Sequence, residues 1–172
     1  KLLLLKETDT LPAISVSAEY KKNRDIDTAD RNSGGALTAA GYDDDKGFDY
    51  ALSLTKLIKA KLPILVNVGA RYTKANQTGY LGFSDDARIL PEVSLAVMPE
   101  SNVVVGFEYR AKPDEYRSVA GLGSFTEDDW SDFFVAYFPT KGLSITTAVV
   151  NFGNIVNRNV NTGLYLNVKY DF

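Results

Sequence analysis

The stretch Ile64–Thr73, ILVNVGARYT, decides the fold. Ile64, Val66, Val68, Ala70 and Tyr72 stand at every second position, with Leu65, Asn67, Gly69, Arg71 and Thr73 between them. A repeat of two places alternate residues on opposite faces of a β-strand, whereas a helix repeats near 3.6. One face is aliphatic and ends in an aromatic ring; the other carries amide, guanidinium and hydroxyl groups. The same pattern recurs on both sides of this stretch. Upstream, Ile14, Val16, Ala18 and Tyr20 alternate with polar residues, as do Phe48, Tyr50, Leu52 and Leu54. Downstream, Val93, Leu95 and Val97 are followed by Val103, Val105, Phe107 and Tyr109, and at the end of the chain by Leu164, Leu166, Val168, Tyr170 and Phe172. The segments near Phe133–Phe138 and Leu143–Phe152 are apolar at both parities, which leaves their facing open. The pattern predicts eight strands.

The connections alternate in length. Short ones fall at Ile58–Leu62, Pro99–Asn102 and Pro139–Gly142, and carry turn residues. Long polar ones fall at Lys22–Lys46, Lys74–Arg88, Lys112–Asp129 and Gly153–Asn161. In a meander this puts all short turns at one end and all long loops at the other, as in transmembrane barrels. The expectation is an all-β, antiparallel up-and-down transmembrane β-barrel spanning residues 1–172 as a single domain.

Alternation alone leaves two orientations. A soluble, lipocalin-like barrel turns its apolar face inward; a membrane barrel turns it outward and keeps polar groups in the lumen. Tyr20, Phe48, Tyr50, Tyr72 and Tyr109 lie beside the long loops, and Tyr170 and Phe172 lie at the other end. Two aromatic bands around an aliphatic middle fit the two lipid–water interfaces. The opposite face offers Glu19, Lys21, Asp49, Asn67, Arg71, Glu92, Glu108, Arg110, Asn167 and Lys169 as lumen-facing candidates. The alternating run that closes on Phe172 has the form of a C-terminal signal for the barrel assembly machinery. The expected setting is the bacterial outer membrane, in contact with its lipid and lipopolysaccharide. No run of about 18 apolar residues predicts a membrane-spanning helix.

Composition excludes several chemistries. The chain has no His and no Cys, so thiol nucleophiles, Ser-His-Asp arrangements and the usual His or Cys metal sites are absent. A net charge of −3 argues against a nucleic-acid partner. No catalytic residue, cofactor or metal site is expected. The acidic clusters at Asp43–Asp45, Asp85 and Asp86, Asp114 and Glu115, and Glu127–Asp129 read as solvated loop charge. Arg24, Arg31, Arg88 and Arg117, interspersed in the loops, could meet lipopolysaccharide phosphates. Gly121-Leu-Gly123 reads as loop flexibility.

Six stretches together resemble one family: Glu19–Asp25 (EYKKNRD), Lys74–Phe83 (KANQTGYLGF), Leu90–Val97 (LPEVSLAV), Glu108–Asp114 (EYRAKPD), Glu127–Pro139 (EDDWSDFFVAYFP) and Phe152–Ile155 (FGNI). It is an uncharacterised proteobacterial family, known as a domain of unknown function, that looks like outer-membrane barrels. The resemblance covers Leu11–Phe172 and is weaker in the Tyr20–Phe48 connection and at Leu122–Phe125. It implies no reaction and no ligand. It does imply that Lys1–Lys6 is the end of a preceding strand and that this chain is the C-terminal part of a barrel of roughly twelve or more strands. The functional expectation is a porin-like passive channel for small solutes. The alternatives are a non-conducting structural or surface-interaction barrel and a soluble lipocalin-like binder.

Overall fold

The structure is a computed structural model; it describes residues 1–114, 126–155, 158–159 and 162–171, and of Gln77, Arg158 and Asn159 the backbone alone. The expectations for Glu115, Arg117, Gly121–Gly123 and Phe172 lie outside the described residues. The strands are β1 (Leu2–Leu5), β2 (Ala13–Lys22), β3 (Lys46–Ile58), β4 (Ile64–Ala75), β5 (Phe83–Glu100), β6 (Val103–Arg110), β7 (Trp130–Thr140), β8 (Leu143–Asn151), β9 (Asn154–Ile155), β10 (Arg158–Asn159) and β11 (Gly163–Tyr170). Nine of them form one antiparallel sheet in the order β1-β2-β3-β4-β5-β6-β7-β8-β11; β9 and β10 make a small separate hairpin. The eight expected strands are all present, and β1 adds a ninth where Lys1–Lys6 was expected to end a preceding strand. Among the described residues β1 pairs only with β2 and β11 only with β8, so these two are the sheet edges.

The register is staggered. Ser15, near the start of β2, lies opposite Ser53, which leads through Gly69 and Glu92 to Arg110 at the end of β6. A row that climbs from strand start to strand end is the signature of tilted strands, as barrel-like sheets require. Register also settles the two ambiguous segments. Phe133, Val135 and Tyr137 share the face of Phe107 and Val105, while Asp132, Phe134 and Ala136 share the face of Glu108, Gly106 and Val104. Phe134 fits there because Gly106 opposite has no side chain: a Cβ on Gly106 would stand 2.5 Å from Phe134 Cζ.

The connection after β4 is shorter than the sequence suggests. The polar run Ser84–Arg88 is not loop but the first part of the 18-residue β5, and the turn narrows to residues 76–82, with a 3₁₀ turn at Asn76–Gly79. Its anchor is Phe83, almost fully buried and laid over Gly47, where a Cβ would come within 2.4 Å of Cδ1. The long β2–β3 connection holds two short helices, α1 (Ile26–Asn32) and α2 (Ala36–Ala39). Gly35 at the start of α2 has no side chain to cap with, so Asp30 does so, accepting the Leu37 and Thr38 amides at 2.8 and 3.0 Å.

Among the described residues no hydrophobic core separates two layers. The buried apolar residues of the sheet, chiefly Phe83, Leu90, Ala96, Ala136 and Ala148, lie on the polar face or under the loops. The aliphatic face is uncovered: Leu52, Leu54, Leu95, Val135, Val149 and Leu166 are exposed. On the other face Ser15, Asp49, Arg71 and Thr73 are buried. Residues of β2 and of β6–β7, four to five strands apart in the sheet order, line one cavity. The sheet is therefore curled, with the polar face concave and the apolar face convex.

Candidate functional site: the concave polar face

The pleat projects alternate side chains inward, and the stagger collects the charged ones beside the long loops. Lys21 Nζ donates to Asp49 Oδ2 at 2.7 Å and lies 3.6 Å from Glu19 Oε2. Asp49, 3% exposed, also accepts the Thr73 hydroxyl. Glu92 Oε1 stands between two guanidinium groups, 3.3 Å from Arg71 Nε and 3.0 Å from Arg110 Nε. These two contacts are ion pairs rather than aligned hydrogen bonds. Asn67 Nδ2 donates to Ser53 Oγ and Thr55 Oγ1 at 2.7 and 2.6 Å, tying β4 to β3 lower down the same face.

Arg71 is 3% exposed, and a backbone feature explains why a cation can sit there. The Ala111 amide donates to the Pro91 carbonyl at 3.0 Å. In an antiparallel hydrogen-bonded pair the reciprocal bond would run from residue 91 to the Ala111 carbonyl, but proline has no N–H. The Ala111 oxygen is left free, and Arg71 Nη2 donates to it at 3.2 Å. Proline in β5 thus creates the acceptor that holds a buried guanidinium.

Of the ten lumen-facing candidates, the structure gathers Glu19, Lys21, Asp49, Arg71, Glu92 and Arg110 into this cluster. Glu108 lies further along the face, directly opposite Asp132 of β7. Among the described residues neither carboxylate has a cationic partner. Asn167 is exposed opposite Thr146, and Lys169 pairs with Asp171 at 2.9 Å near the turn end, apart from the cluster. Of the aromatic candidates, Tyr20, Phe48, Tyr50 and Tyr72 form a continuous exposed band on the convex face, with ring centroids 5.1, 6.1 and 6.5 Å apart. Tyr109 shares that face and its hydroxyl donates to Asp129, while Tyr170 is exposed toward the opposite end.

Sequence reasoning missed four contributors. Asp132 stands on the polar face only once the register is known. Trp130 lies opposite Arg110 on that face, with its ring 5.0 Å below the Lys112 ammonium. Lys112 and Glu127 form a 2.7 Å ion pair in which both side chains are 2% exposed. The last of these corrects the reading of Glu127–Asp129 as solvated charge. Asp128 Oδ2 accepts the Asn154 backbone and side-chain amides, each at 2.8 Å, and Asp129 Oδ1 accepts the Lys112 amide at 2.9 Å. No sequence signal marks these pairings, because their partners lie 15 or more residues away along the chain.

The turn after β4 folds over this region. Lys21 Nζ donates to the Thr78 carbonyl at 3.3 Å, and Asn23 Nδ2 to that of Tyr80 at 2.6 Å. Thr78 has φ +60°, an unusual conformation for a β-branched residue, and the turn is held from β2. Beneath the turn is a polar cavity of about 560 Å³ bounded by Glu19, Lys21, Lys22, Arg24, Arg110 and Trp130. A larger dent of about 670 Å³ on the convex face is walled by Val16, Ala18, Leu52 and Ala70, and offers a solute almost no polar group. Among the described residues no three acidic side chains converge to hold a metal ion.

The fold and this face define an all-β protein built on one nine-stranded antiparallel sheet, with few helical residues and, among the described residues, no helix long and apolar enough to cross a membrane. The chain belongs to the family described as protein of unknown function, DUF3034, which matches residues 4–169. No curated protein and no solved structure matches it.

Proposed function

We propose that the protein is an outer-membrane β-barrel that acts as a porin-like passive channel for small solutes. The observation that carries this reading is the inverted distribution of polarity: Arg71 and Asp49 are 3% exposed on the concave face while Leu95 is 46% and Leu166 71% exposed on the convex one. In water, a convex surface of this extent would associate or aggregate. Against acyl chains it is the favourable solvent match, and the exposed band Tyr20–Phe48–Tyr50–Tyr72 fits one lipid–water interface. A soluble lipocalin-like binder needs the opposite arrangement. The free edges of β1 and β11 would each leave backbone groups unpaired in hydrocarbon, at a cost of several kcal/mol per group. We therefore infer that further strands close the barrel, in keeping with the larger barrel that the family resemblance implies.

The second reading, a non-conducting structural barrel, draws support from the turn that folds over the concave face at Thr78–Tyr80 and from the buried ion pair of Lys112 with Glu127 beside it. Conductance of the full-length protein in planar bilayers separates the two. Discrete current steps are expected; silent bilayers containing folded, inserted protein would leave the structural reading.

A further inference from the structure

The cavity under the β4–β5 turn has a charge pattern that the channel reading does not require. Its lining includes four cationic side chains, Lys21, Lys22, Arg24 and Arg110, and one carboxylate, Glu19. The compensating acids are sunk behind the cations. The side chain of Asp49, which pairs with Lys21, is 4% exposed, and that of Asp45, which pairs with Lys22 at 3.1 Å, is 14% exposed. The cation ends remain accessible: the Lys22 and Arg110 side chains are 43% and 41% exposed. Arg110 uses its Nε toward Glu92, so its two terminal amino groups are without an acceptor among the described residues. Arg24 has none either. Trp130 forms one wall, and its indole N–H is buried and unpartnered.

We propose that this basin binds a small oxyanion, a solute bearing a phosphate or carboxylate group, and gives the channel its preference for anions. The Arg110 fork matches the two oxygens of such a group, and Arg24 and Lys22 supply further donors. The volume, about 560 Å³, suits a small-molecule site. Lipopolysaccharide phosphates are the other source of this chemistry, but the basin opens on the concave face and lipid contacts the convex one. A dissolved solute is therefore the occupant. The inference rests on the reading of the concave face as a water-filled lumen.

The test follows Trp130, the one tryptophan of the 172-residue chain. The full-length protein, folded in neutral maltoside micelles without lipid, is titrated with inorganic phosphate while tryptophan emission is recorded. A saturable change is expected, and it should vanish in Trp130→Phe. Arg110→Gln should weaken binding about tenfold, the loss of a charge-assisted bond. Arg24→Gln, at an exposed side chain without an ion pair among the described residues, should weaken it about threefold and serves if the first variant does not fold. Lys59→Gln, in the turn at the opposite end, should leave it unchanged. No saturable change in folded protein would overturn the proposal, as would equal affinity in Arg24→Gln and the parent. Reversal potentials in a potassium chloride gradient keep the two ideas apart. Phosphate binding with silent bilayers would sink the channel and leave the basin. Cation-selective current without phosphate binding would do the reverse.

Discussion

Lys112 and Glu127 set the sharpest energetic constraint at the scale of single residues. Burying two opposite charges is costly, and the cost is offset only while they stay together. Lys112 does not rely on Glu127 alone, since its ammonium also lies over the Trp130 ring and 3.4 Å from the Asn154 carbonyl. Lys112→Met removes the ammonium that pairs with the buried Glu127 carboxylate and should cost about 3–5 kcal/mol. The double variant Lys112→Met/Glu127→Leu should recover much of that loss. Urea unfolding followed by circular dichroism in micelles reads both. A single variant as stable as the parent would show that water reaches the pair. The same logic applies more weakly to Lys21 and Asp49, because Lys21 keeps a 20% exposed side chain.

Elements are matched to one another through small residues and caps. Gly106 of β6 makes room for the Phe134 ring of β7, with Ala96 of β5 on its other side; a Cβ would stand 2.5 Å and 2.9 Å from them. Gly106→Leu should therefore destabilise by about 1–3 kcal/mol or more, and Phe134→Ala in the same background should restore part of it. In the β2–β3 connection α2 depends on Asp30. Its carboxyl is held below the ordinary 3.8, first by the Thr38 hydroxyl and then by the Thr38 amide, with partial burial opposing. A depressed carboxyl contributes stability that is fully present above its unfolded value and is lost as pH falls through the lower folded value. Amide exchange at Leu37 and Thr38 should thus accelerate, relative to intrinsic rates, below pH 3.8, while the strand amides stay protected. Asp30→Ala should show the fast exchange at neutral pH. Persistent protection in that variant would remove Asp30 from the role of cap.

At the scale of the whole molecule, the proposed barrel turns on which face would meet the membrane. Ser94 and Leu95 are adjacent on β5 and point to opposite faces, opposite Glu108 and Phe107 of β6 respectively. For a protein folded into bilayers, Leu95→Arg should cost about 2–4 kcal/mol, the known cost of a guanidinium near mid-bilayer on a barrel's lipid face. On the proposed reading Ser94→Arg should cost little, since its cation would enter an aqueous face beside Glu108. Unfolding of both variants from lipid vesicles measures the difference. The reverse order would put water outside and apolar contacts inside, and the channel proposal would fall with it.

Eight strands, their antiparallel order and the two unlike faces are legible in the chain because the strand repeat of two is a local property. Each residue's face follows from its own parity, as ILVNVGARYT at 64–73 illustrates. That is also why Arg71, Glu92 and Arg110 could be assigned to one face without coordinates. Three things could not be read that way. Phe134 sits in a run apolar at both parities and Asp132 borders it, so only pairing with β6 assigns them. Ser84–Arg88 is polar yet extended, because the strand is held by Phe83 on Gly47 rather than by its own composition. The cationic basin combines β2, a turn and the β6–β7 wall, and the distance between residues 24 and 110 along the chain carries no local signal. Parity is written in neighbouring residues; register, curvature and the meeting of loops arise from strand pairing across the whole sheet, and only the folded structure decides them.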